Sequence, residues 1–68
     1  MSARIIHSEE GYMLQVDHPL GDSFPARENS NAARGDYYDF LMAGEESDNF
    51  EVKKNAGYMA YLLEVVEA

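Results

Sequence analysis

The side chains best equipped for chemistry in this sequence are carboxylates and phenols gathered in one stretch. Between Gly35 and Val52 the chain carries Asp36, Asp39, Glu45, Glu46, Asp48 and Glu51, with no lysine or arginine among them. Tyr37, Tyr38, Phe40 and Phe50 are interleaved with these acids. On one helix face Asp36 and Asp39 would stand about 5–6 Å apart, where like charges repel and lower stability. A basic partner surface that receives the charges offsets that cost. The stretch therefore reads as a contact surface made of Asp36, Tyr37, Tyr38, Asp39, Glu45, Glu46, Asp48 and Glu51, with carboxylates in the place of phosphates and tyrosines as anchors. Two plainer readings compete with it. One is an acidic face that binds protein without imitating nucleic acid, and the other is a solvated face that keeps a small protein in solution.

The overall charge narrows the partners. Five lysines and arginines stand against thirteen aspartates and glutamates in 68 residues, a formal net charge of −8. A direct nucleic-acid binder needs a basic footprint to displace counterions from phosphates, so that class is excluded as the simple reading. There is no cysteine, and with it go a disulfide framework, a thiol nucleophile and a thiolate zinc site. The longest apolar run, Met59 to Leu63, is far too short to span a bilayer. The first residues, Met1 to His7, lack the pattern of a signal peptide, and a cytoplasmic location is expected, in a host cell if the source is a phage.

Other constellations are weaker. Glu45, Glu46, Asp48 and Glu51 could gather oxygens around a hard cation, but the Asp-x-Asp-x-Asp-Gly spacing of a calcium loop is missing. His7, Asp17 and His18 could converge on a metal only in a suitable hairpin register. No metal or other cofactor is expected. The chain has no Gly-x-Ser-x-Gly elbow, Gly-rich phosphate loop or His-Glu-x-x-His helix, and its length leaves little volume for a water-excluding pocket, so no enzymatic activity is expected. Arg34-Gly35-Asp36 is the tripeptide that integrin ligands display on an extended loop, yet such a short match arises readily by chance, and Gly35 reads better as a helix start or turn.

Length, acidity and the 35–52 stretch together resemble a broad class of small acidic proteins with which phages and mobile elements block host nucleases, the anti-CRISPR and anti-restriction proteins. That resemblance implies a non-enzymatic inhibitor that occupies a nucleic-acid-binding surface and denies it to DNA or RNA.

The elements that must position these residues follow from local pattern. Apolar residues are 46% of the chain, too many for a charge-driven disordered tail. Arg4-Ile5-Ile6-His7-Ser8, a turn at Glu9-Glu10-Gly11 and the alternation of Tyr12, Leu14 and Val16 predict a β-hairpin over residues 3–17. Pro19, Gly21, Asp22, Pro25 and Asn29 predict a loop over 18–31, anchored to the core by Phe24. Ser30 or Asn31 would cap a helix that ends near Ala43, with Ala33, Tyr37, Phe40 and Leu41 on one face. Gly35 could delay its start to Asp36, and a strand over Tyr37–Met42 paired with Phe50–Lys54 is the rival. Asn49–Lys54 reads as a short strand and Asn55-Ala56-Gly57 as a turn. Residues 58–67 fit a helix with Tyr58, Tyr61, Leu62 and Val65 in one stripe, against the β preference of Val65-Val66.

The expected fold is thus a small α+β domain over residues 1–68: N-terminal hairpin, central helix, short strand and amphipathic C-terminal helix. The alternative is a small all-β barrel or meander. The expected function is binding to a basic, nucleic-acid-binding surface of a partner protein. The alternatives are a structural or assembly subunit that self-associates through Tyr58, Tyr61, Leu62 and Val65, with a homodimer as its simplest form, and an antitoxin-like regulator.

Overall fold

The computed structural model describes residues 2–17, 24–45 and 50–68, without the side chains of residues 44, 45, 50 and 52. Two strands, β1 (Ser2–Ser8) and β2 (Gly11–Asp17), precede two helices, α1 (Ser30–Glu45) and α2 (Phe50–Tyr61), and a third strand, β3 (Val65–Glu67), follows them. The fold is a small α+β domain, as the sequence leads one to expect.

The hairpin forms because β-branched and apolar residues alternate on both sides of a two-residue turn. β1 and β2 pair antiparallel with Ala3 opposite Val16, Ile5 opposite Leu14 and His7 opposite Tyr12. Paired residues share a face, so one face of the hairpin carries Ala3, Val16, Ile5 and Leu14 into the core. Gly11 closes the turn at φ 124°, a backbone conformation that side chains resist. Its missing Cβ matters a second time: a carbon there would collide with the carbonyl oxygen of Arg27. That carbonyl accepts the Tyr12 N–H at 2.8 Å, and the Arg27 N–H donates back to Tyr12 at 2.6 Å, fastening the chain before α1 to the edge of β2.

α1 begins one residue earlier than expected. The Asn29 side chain accepts the Ala32 N–H at 2.8 Å and so caps the helix, where Ser30 or Asn31 was the expected cap. The helix runs through Gly35, with no delayed start and no strand, and through Gly44 to Glu45. Its expected inner face is present: Ala33 and Tyr37 are buried, and Phe40 and Leu41 pack partly against the same cluster. Phe24 joins that cluster edge-on to Phe40 at 6.1 Å between centroids, so the loop anchor is where it was expected. The first part of that loop, residues 18–23, lies outside the described residues.

The second half of the chain departs from the sequence pattern. Asn49–Lys54 was expected to be a strand and Asn55-Ala56-Gly57 a turn, but both fall in α2, apart from Asn49, which lies outside the described residues. Ala56 and Ala60 supply the stripe that turns inward, and a glycine inside a helix costs only about 1 kcal/mol against alanine, too little to stop it. The residues expected to continue as a helix to Glu67 instead leave it at Tyr61. Val65 and Val66 pair in parallel with Ile5 and Ile6 of β1, giving the sheet order β2-β1-β3. The Ile5 N–H donates to the Glu64 carbonyl at 2.9 Å and the Ala68 N–H to the His7 carbonyl at 2.8 Å. The free edge of β1 needs such partners, and the β-branched pair outweighs the helical spacing of its neighbours.

Candidate partner-binding surface

The acidic stretch divides into residues that build the fold and residues that face solvent. Asp36 lies on the inner side of α1 and is 9% exposed. Its carboxylate accepts two hydrogen bonds from Arg27, from Nε at 2.8 Å and from Nη2 at 2.6 Å. This forked pairing of guanidinium and carboxylate is among the stronger polar contacts a protein makes. It holds the Arg27 guanidinium above its ordinary pKa, first through the hydrogen bonds that Arg27 donates to Asp36, then through that carboxylate's charge, with a smaller contribution from Asp39.

Tyr37 is 6% exposed and belongs to the core with Ile5, Leu14 and Ala33. Tyr38 is half-buried, and its ring lies over Gly57 of α2. Of the expected contact residues, Asp39 on α1 and Glu51 in the first turn of α2 are exposed. Glu45 closes α1, and its side chain lies outside the described residues, as do Glu46 and Asp48. The structure therefore leaves Asp39 of α1 and Glu51 of α2 exposed and turns the α1 tyrosines toward the interior.

The three arginines are engaged within the protein. Arg27 is bound to Asp36 as described. Arg34 donates to Ser30 Oγ at 2.8 Å and reaches the Leu63 carbonyl at 3.5 Å, bridging α1 to the segment after α2. Arg4 donates from Nε to Gln15 Oε1 at 2.7 Å. Each arginine thus spends donors on the protein itself, while Glu9, Glu10, Asp17, Glu28, Asp39, Glu51, Glu64 and Glu67 remain on the surface. Lys53 and Lys54 are exposed, as are Arg4 and Arg27.

The aromatic anchors lie where the acidic stretch does not reach. Tyr58, Met59, Tyr61 and Leu62 are 62%, 51%, 75% and 56% exposed and form an apolar ridge on the outer side of α2 and its end. The sequence places Tyr58, Tyr61, Leu62 and Val65 in one stripe; the first three are exposed on α2 and its end, whereas Val65 lies in β3 and packs against the core. Those three residues face outward, because the inner side of α2 is built from Ala56, Gly57 and Ala60.

The remaining candidates lose their geometry. Arg34-Gly35-Asp36 sits inside α1 with Asp36 buried, not on an extended loop. His7 lies opposite Tyr12 and Asp17 opposite Ser2, so the two stand at opposite ends of the hairpin, and His18 lies outside the described residues. His7 instead stacks on Tyr12 with centroids 4.1 Å apart and meets the Glu67 carboxylate at 3.0 Å. Among the described residues no group of three or more metal-ligating side chains converges. An open depression of about 550 Å³ is lined by Ser2, Ala3, Arg4, Gln15, Val16, Asp17 and Glu64. It brings together one arginine and two carboxylates without a histidine or a second nucleophile to work with Ser2.

No helix among the described residues is long and apolar enough to cross a membrane. No family model matches this chain, and no curated protein or solved structure matches it either.

Proposed function

We propose that this protein is a non-enzymatic acidic binding protein that docks on a basic, nucleic-acid-binding surface of a partner and keeps DNA or RNA from it. The observation that supports the reading is the division of charge. Arginines are held in internal contacts, above all the Arg27–Asp36 pair, and the carboxylates that remain on the surface leave a net charge of −8. An excess of one sign steers a small protein toward an oppositely charged surface and speeds its encounter. The exposed acids Asp39 and Glu51 flank the segment that carries Glu45, Glu46 and Asp48 in sequence, and this is the part of the chain assigned to the contact.

The test begins with the tagged protein, captured partners from host lysate at low salt, and elution by rising salt or by added duplex DNA or RNA. The reading expects a nucleic-acid-binding protein that nucleic acid displaces in proportion to its concentration. Asp39→Lys, alone and with Glu51→Lys, should weaken that capture while the folded circular-dichroism spectrum is kept. Capture that nucleic acid does not compete, or that both variants retain in full, would overturn it. Asp36→Lys is not a suitable probe, because it places a cation against Arg27 in a buried position.

A further inference from the structure

We draw no further inference here: the strongest candidate, the apolar ridge of Tyr58, Met59, Tyr61 and Leu62 exposed on the outer side of α2 and at its end, carries nothing because nothing in the structure shows what covers it.

Discussion

Arg27 and Asp36 join the edge of the hairpin to the inner side of α1. The Arg27 backbone exchanges both of its hydrogen bonds with Tyr12 of β2, and its guanidinium forks onto the Asp36 carboxylate. One residue therefore fixes both the end of the long loop and the position of the first helix. Because backbone and side chain are engaged at once, the ordering cost of the arginine is shared between two contacts rather than charged to one.

The first prediction concerns that carboxylate. Asp36→Asn leaves the fork with a neutral acceptor and should lower the thermal midpoint by several degrees, and Asp36→Ala should lower it further. Asp39→Asn, at an exposed position one turn away, should leave it nearly unchanged. The sign with pH follows from Arg27, whose folded pKa is raised. A raised cation adds stability that is complete below its unfolded pKa and is lost only as pH rises through the folded one, in the strongly alkaline range. The deficit of Asp36→Asn should therefore stay constant from neutral to moderately alkaline pH, which melts across that range would check.

Gly11 sets the second. Its φ of 124° and the Arg27 carbonyl beside it leave no room for a methyl group. Gly11→Ala combines a strained backbone with a collision against main chain, and should cost about 1–3 kcal/mol. The effect should be local as well as global: hydrogen exchange at the Arg27 amide, which is bound to the Tyr12 carbonyl, should quicken more than at Leu14. Equal quickening everywhere would assign the loss to general unfolding rather than to the released loop.

The helical glycines give the opposite sign. Gly35 has nothing within 4 Å of a Cβ built on it, and it sits inside α1. Gly35→Ala should stabilise the protein by about 0.5–1 kcal/mol through the entropy of the unfolded chain. At Gly57 a Cβ would rest 3.6 Å from Tyr38 Cε2, an ordinary contact, so Gly57→Ala should gain by a similar amount. Urea denaturation of both variants checks the pair, and destabilisation of either would mean that α1 or α2 is not helical at that position.

The hairpin, the α1 core face and the Phe24 anchor were legible in the sequence because each rests on a local period or a nearby contact. Tyr12, Leu14 and Val16 alternate, and Ala33, Tyr37, Phe40 and Leu41 recur at helical spacing, whatever the rest of the chain does. The last third was not legible for a physical reason. Tyr58, Tyr61 and Leu62 repeat as a helix should, but a hydrophobic stripe ordinarily marks the buried face, and here the buried face is Ala56 and Ala60. Val65-Val66 became a strand only because β1, sixty residues earlier in the chain, has an edge to fill. The candidate site divides in the same way. The acids were visible as composition, whereas the commitment of Asp36 depends on Arg27, whose approach is set by the long loop and by Tyr12.

Ile5 carries the final prediction. It is fully buried and occupies the central strand, opposite Leu14 on one side and Val65 on the other. Truncation to alanine removes contacts to both neighbouring strands and leaves a cavity that the hairpin cannot close without losing its register, a loss of about 2–5 kcal/mol. A domain of this length has a total stability of only about 3–10 kcal/mol. Ile5→Ala should consequently be substantially unfolded or close to it, while Ile5→Val, which keeps the β-branch and most of the volume, should lose only about 0.5–1.5 kcal/mol. Chemical denaturation of the two variants measures the difference. Because β3 pairs only with β1 among the described residues, Ile5→Val should also quicken amide exchange at Ala68, whose N–H donates to His7, before it affects α1. Exchange that quickens first in α1 would place the weak point of the fold in the helix layer instead of at the short parallel strand.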